Sequence, residues 1–138
     1  MIHKKLLEFQ KLNITIEKDA INPHFKNSYS SLNEVLSKVK KPLNDLGILI
    51  EQSPAIEAVI LDGNRVMANG LHTVLRDTED DTYIESFVPF INATDMQKLG
   101  GAITYARRYS LISMLGLEDA DDDGNTASAP EALPTIRR

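Results

Sequence analysis

The chain contains no cysteine. Disulfides and thiolate metal sites are therefore excluded, and a reducing cytoplasm is the expected setting. No stretch approaches ~18 consecutive apolar residues, so no membrane span is expected. The opening segment, MIHKKLLEFQKLNI, has no long apolar core and no small-residue cleavage site, so it does not read as a secretory signal. Histidines are few and scattered: His3, His24 and His72 show no ligand spacing. A glycine-rich phosphate loop of the P-loop type is missing, as is any serine or cysteine nucleophile constellation. Aromatic residues make up only 6% of the chain, so a place where tyrosines gather is worth locating.

What remains is an ordinary soluble composition: 138 residues, 42% hydrophobic and 25% charged, enough for one domain with a real core. Positive charge is in deficit overall, with a net charge of -5. The deficit is unevenly spread. Residues 1–50 carry eight lysines against five acids, and residues 51–95 two arginines against nine acids. Residues 96–117 hold Lys98, Arg107 and Arg108 with no acid, and residues 118–138 are acidic again. Screening confines each patch to about 8–10 Å of influence, so an acidic total does not forbid one basic face.

Periodicity gives the organisation. Residues 3–12 predict a short helix. The segment 21–31 reads as an irregular loop, because Pro23 disfavours helix at Asn22. Ser31-Leu-Asn-Glu34 is a capping box, opening a helix with Leu32, Val35, Leu36, Val39, Leu43 and Leu46 on one stripe. Pro42 predicts a kink or a split near Lys41, and Gly47 a stop. Strand candidates follow at 48–52 and 55–61. Asp62-Gly63 signals a hairpin, and 65–77 reads as a long strand with a bulge at Gly70. After a turn at 79–81 comes a strand at 82–90. Thr94-Asp-Met-Gln97 reads as a second capping box, with Asp95 complementing the helix dipole. The helix it opens runs to about Leu115 and stops at Gly116. Its expected core stripe is Met96, Leu99, Ile103, Ala106, Ser110 and Met114. The expected fold class is α+β: an antiparallel meander of three to four strands with helices on one face. Residues 1–117 form the domain, and 118–138 an acidic loop and disordered tail.

Within the last helix, GGAITYARRYS (100–110) sets two glycines, two tyrosines and adjacent arginines close together. Each interior glycine costs about 1 kcal/mol relative to alanine, so something is expected to approach that backbone: a strand, a neighbouring subunit or a phosphate. Two readings of the basic cluster stay open. One is a solvated arginine pair with half-buried tyrosines. The other is a nucleic-acid surface, in which arginines contact phosphates and tyrosines stack on unpaired bases. Lys26 and Tyr29, in the loop 21–31, can join such a surface. Lys38, Lys40 and Lys41 are read by default as complementing a helix end. The stretch Asp119 to Gly124 matches the first half of a calcium loop, but its twelfth position is Pro130, so dedicated calcium binding is not expected. Those acids can also serve as partners for Arg107 and Arg108.

Taken together, DMQKLGGAITYARRYSLISMLGLEDADDDGN (95–125) resembles the signature of the ERF (essential recombination function) family of phage single-strand annealing proteins. NPHFKNSYSSLNEVLSKVKKPLNDLGILIEQ (22–52) resembles that family's N-terminal segment. The resemblance implies a β-β-β-α core shared with other annealing proteins. It implies ATP-independent binding and annealing of single-stranded DNA in phage recombination, by a ring or helical homo-oligomer in the bacterial host's cytoplasm. It implies no enzyme activity and no cofactor, with a host single-strand binding protein as a further candidate partner. Lys26, Tyr29, Lys98, Tyr105, Arg107 and Arg108 are the expected DNA contacts. Gln97, Gly100, Gly101, Thr104 and Tyr109 are the expected structural or subunit-contact positions. Two rival functions stay open: a divalent-metal nuclease using Asp95 and the acids at 119–123, and a protein-interaction adaptor acting through the acidic tail.

Overall fold

The computed structural model describes residues 1–90 and 94–118. The expected tail and calcium-like loop lie outside the described residues. The chain begins with helix α1 (Ile2–Lys11), whose Ile2 and Phe9 are buried. A two-stranded ribbon follows, β1 (Ala20–Ile21) against β2 (Ser28–Tyr29), where an irregular loop was expected. Its tip is folded by Asn22, whose side-chain Oδ1 accepts the His24 N–H at 2.9 Å and whose carbonyl accepts the Lys26 N–H. Local side-chain bonding of this kind shapes turns at close range.

Helix α2 (Leu32–Asp45) starts at Ser31, whose hydroxyl accepts the Glu34 N–H at 3.1 Å. The reciprocal half of the capping box is taken by another residue. Ser31 N–H donates to Asp19 Oδ1 at 2.8 Å and its hydroxyl donates to Asp19 Oδ2 at 2.7 Å. Glu34 is thereby released to accept the Glu17 N–H and the Lys38 ammonium. These bonds fasten the ribbon to the head of α2, and the two donors from Ser31 hold the Asp19 carboxyl below its ordinary range. The split expected near Lys41 does not occur, and α2 runs unbroken through Pro42. The proline sits in the last turn, between Val39 and Leu43, which are both fully buried, and packing carries the helix through the lost hydrogen bond. Gly47 ends the helix with φ +83°.

From there the chain forms one meander. β3 (Ile48–Leu61) and β4 (Asn64–Asp77) pair along their full length, from Ile48↔Asp77 to Leu61↔Asn64. The two strand candidates in this region are a single strand. Pro54 does not break it, because β3 lies at the sheet edge and Pro54 needs no outward donor there. Asp62 (φ +52°) and Gly63 (φ +79°) make the two-residue hairpin turn. β5 (Tyr83–Pro89) pairs with β4 from Arg76↔Tyr83 to Gly70↔Pro89. The bulge expected at Gly70 is not formed, since the register runs unbroken through Ala55↔Gly70↔Pro89. The glycine is needed for clearance. A Cβ there would lie 2.5 Å from both the Val88 carbonyl oxygen and Phe87 Cζ.

On β4, Leu71, Thr73, Leu75 and Asp77 turn inward, while His72 and Arg76 turn outward, where Arg76 pairs with Glu51 and lies over the Tyr83 ring. The inward face is covered by helices, as an antiparallel sheet requires on at least one side. α3 (Met96–Leu115) closes the β-β-β-α run. The core falls into two clusters. The larger joins Phe9, Val35, Val39, Leu43, Ile48, Leu75, Leu111 and Leu115, and the smaller Leu71, Val88 and Ala106. Between them runs a polar row across the sheet, Gln52↔Thr73↔Ser86. Beyond Gly70 the β3–β4 hairpin continues without a third strand among the described residues, and Ile56, Ile60 and Met67 are 63%, 71% and 66% exposed.

Asp77 is the one fully buried acid among the described residues. Lys5 Nζ lies 2.7 Å from its Oδ1, the Glu79 N–H donates to it at 2.9 Å, and the N-terminal ammonium stands 3.0 Å from Oδ2. Lys5 above all, then the Glu79 amide, holds the carboxyl far below the usual carboxylate range. A depressed folded-state value means that this stabilisation is complete above the unfolded value of about 4 and is lost progressively as pH falls below it. Thermal melts between pH 7 and pH 2 are expected to show a steep loss of stability below about pH 4. Asp77→Asn should be less stable at pH 7 and show a shallower acid slope. An unchanged slope would count against the pairing.

Candidate nucleic-acid interface

Helix α3 is capped one residue later than its sequence implies. Asp95, not Thr94, is the N-cap, and its side chain accepts the Lys98 N–H at 2.8 Å. Both residue types cap well, and Asp95 has the extended backbone of an N-cap (φ -138°, ψ 171°). At the other end Gly116 (φ +65°) lets Leu117 N–H reach the Ile112 carbonyl at 3.0 Å, closing the helix. The buried face is Ala106, Ser110, Leu111 and Leu115. The expected stripe is therefore right at Ala106 and Ser110, while Leu99, Ile103 and Met114 are only half-buried. It fails at Met96, which is 80% exposed. Leu111 and Leu115 take the core role because the larger cluster lies under the helix's second half.

Arg108 does not point freely into solvent. Its guanidinium carbon stands 5.0 Å from the Tyr29 ring centroid and 5.3 Å from that of Tyr105. Tyr105 in turn stacks on Tyr109, with centroids 5.9 Å apart and planes 13° from parallel. Positions 105, 108 and 109 share one helical face by their spacing, and β2 delivers Tyr29 from a distant part of the chain. The result is one arginine between two tyrosines, with a third stacked on the second. Burial pushes the Tyr105 hydroxyl up from its ordinary value, against the opposing pull of Arg108, so it remains a neutral phenol.

Arg107 faces another way, toward the sheet. Its Nε donates to Gln52 Oε1 at 3.2 Å, and Gln52 Nε2 donates back to the Arg107 carbonyl at 3.1 Å. Among the described residues, neither Arg107 nor Arg108 is paired with a carboxylate. Their suggested pairing with the acids at 119–123 lies outside the described residues.

The first half of α3 presents Gln97, Lys98, Gly100, Gly101 and Thr104, all exposed. Thr104 turns its hydroxyl back onto the Gly100 carbonyl, at 3.1 Å. A Cβ added at either glycine meets nothing within 4 Å, so no described strand of this chain packs there. The glycine pair leaves bare helical backbone on a surface that runs for roughly 16 Å from Gln97 to Arg108. Lys26 is exposed at the tip of the ribbon with φ +55°, and no described contact joins it to α3. The structure thus brings together Tyr29, Tyr105, Arg108 and Tyr109. It sets Arg107 beside them on Gln52, places Lys98 on the same helix, and leaves Lys26 apart.

Gln52 is the last residue of the segment 22–52 quoted above, but nothing there singles it out as a site residue. Its one legible signal is polarity at an inward position, in alternation with Ile48 and Ile50. For a metal-dependent reaction, Asp95 is engaged in capping, and no group of three or more His, Asp or Glu side chains converges among the described residues. No helix among them is long and apolar enough to cross a membrane. A model of the ERF superfamily matches residues 2–137, nearly the whole chain. Neither curated proteins nor solved structures provide a match.

Proposed function

The chain belongs to the ERF superfamily, and from that premise we propose that it binds single-stranded DNA and anneals complementary strands without ATP, as a homo-oligomer, in phage recombination. The observation that supports this most is the juxtaposition on α3 of two arginines lacking carboxylate partners among the described residues, a tyrosine cluster and a bare glycine surface. Arg107, Arg108 and Lys98 hold phosphates of one strand, with Lys26 reaching in from the ribbon. Tyr105, engaged by both Arg108 and Tyr109, holds the arginine in place. Tyr29, at the edge of the cluster, is the platform on which a base stacks. Each phosphate contact adds affinity by counterion release, with a slope of about -0.7 per contact for single strands. A few cations per subunit bind weakly, so repetition across an oligomer supplies the affinity. Bases held by the backbone alone stay open to a complement.

Mixing two complementary labelled strands with the protein, in Mg²⁺ and without nucleotide, tests this directly. Annealing with both strands intact on a denaturing gel is the expected result. Cleaved strands would instead favour a nuclease. Gly100→Ala and Gly101→Ala make a finer test. Each is expected to stabilise the helix by up to about 1 kcal/mol, since the added methyl meets open space, and yet to weaken annealing. A stabilised variant that anneals as well as the parent would show that nothing approaches this backbone.

A further inference from the structure

The Gln52 side-chain amide makes three hydrogen bonds. Nε2 donates to Thr73 Oγ1 at 3.1 Å and to the Arg107 carbonyl at 3.1 Å, and Oε1 accepts from Arg107 Nε at 3.2 Å. A carbonyl only accepts and a guanidinium N–H only donates, so one orientation of the amide satisfies all three bonds. The Arg107 carbonyl and Nε–H fix that orientation, and Thr73, fully buried opposite Gln52, anchors the amide from beneath. Gln52 therefore grips Arg107 at both ends, main chain and guanidinium, and restrains the torsions between. With Nε taken, the terminal nitrogens of Arg107 have no acceptor among the described residues. Such a fork matches two oxygens of one phosphate.

The neighbouring position on the same strand shows the alternative. Glu51 accepts from Arg76 Nε and Nη2, both at 3.3 Å, and its carboxylate compensates that arginine's charge. Gln52 offers Arg107 the same kind of oxygen without the charge.

We infer that Gln52 is a positioning residue for single-strand binding: it aims the Arg107 guanidinium at a backbone phosphate and leaves its charge uncompensated. This rests on reading α3 as the DNA-binding surface.

The test is binding of oligothymidylate at several salt concentrations, reading the slope of log K against log salt, with a thermal melt for each variant. Gln52→Glu keeps the size and the acceptor but places a carboxylate on Arg107. Its slope is expected to fall by about 0.7 per subunit, the value of one phosphate contact, in a protein that the melt shows to be folded although the donor to the Arg107 carbonyl is lost. Arg107→Ala should lose the same amount, and adding Gln52→Glu to it should remove no more. Gln52→Ala frees the guanidinium without neutralising it, so affinity at fixed salt should drop several-fold while the slope is largely retained. If folded Gln52→Glu keeps the full slope while Arg107→Ala loses it, Gln52 has no part in aiming the arginine, and the DNA-binding reading of α3 survives. If Arg107→Ala also keeps the full slope, the reading of α3 itself falls, and the inference with it. Should Gln52→Ala fail to fold, the isosteric Gln52→Glu still decides between these outcomes.

Discussion

Replacing Arg107 and Arg108 together by alanine is expected to abolish strand annealing and to lower the salt slope of binding by about 1.4 per subunit, two contacts at about 0.7 each. A charge-assisted hydrogen bond contributes about 1.5–3 kcal/mol, so each lost contact should weaken binding by one to two orders of magnitude. Oligomerisation multiplies that loss along the strand. The single variants should separate by stability. Arg107→Ala removes a side chain that touches Gln52 and leaves the core alone. Arg108→Ala also empties the space between Tyr29 and Tyr105, losing two cation–π contacts worth about 0.5–1 kcal/mol each. It should melt lower and loosen the β1–β2 ribbon from the helix. Substitution by lysine should restore more at 108 than at 107, because an ammonium still sits over a ring but offers no fork to a phosphate. Normal annealing by a folded double mutant would place the interface elsewhere on the molecule.

Gly70→Ala is expected to destabilise the domain more than any other single methyl addition at a glycine of the sheet. The new Cβ would sit 2.5 Å from the Val88 carbonyl oxygen, and that oxygen belongs to the backbone of the paired strand. A side chain could swing aside, but relieving this contact means parting β4 from β5. Overpacking of this kind costs about 1–3 kcal/mol, or more where a ladder must shift. At about 3 °C per kcal/mol for a chain of this size, the melting temperature should fall by several degrees. Gly63→Ala is the control. Its φ of +79° is strained for alanine, yet nothing lies within 4 Å of the added methyl, so its cost is limited to about 1 kcal/mol of backbone strain. Equal losses at the two positions would mean that the Phe87 and Val88 contact relaxes freely.

These residues also show where a sequence stops being informative. Asp62 and Gly63 announce their hairpin because a two-residue turn needs positive φ at both positions, a purely local demand. The α+β order, the three-stranded meander and the last helix are legible for the same reason, since period and punctuation are local. Gly70 is also visible as an oddity, but what it makes room for lies 17 and 18 residues away, at Phe87 and Val88. A bulge and a close approach therefore look alike in sequence. Ser31 and Glu34 announce a cap, but the carboxylate that completes it comes from Asp19. Of the interface, the cluster 100–109 is legible by composition. The partnership of Tyr29 with Arg108 and of Gln52 with Arg107 is not, because each joins residues more than fifty positions apart.

Beyond Gly70 the hairpin has one described ladder, flanked near its base by the Phe90 N–H on the Asn69 carbonyl and by Glu57 Oε2 3.9 Å from His72 Nδ1. A two-stranded ribbon is marginal in water when it stands alone. Toward the turn, from Ala58↔Met67 outward, each pair therefore leans on the pair before it. Rigidity decays along this arm by degrees, from the anchored end at Gly70 to the turn at Asp62 and Gly63. An arm built this way is expected to bend as a graded spring. Whatever touches its apolar tip feels a compliant surface, while the arginines on α3 stand on a stiff one.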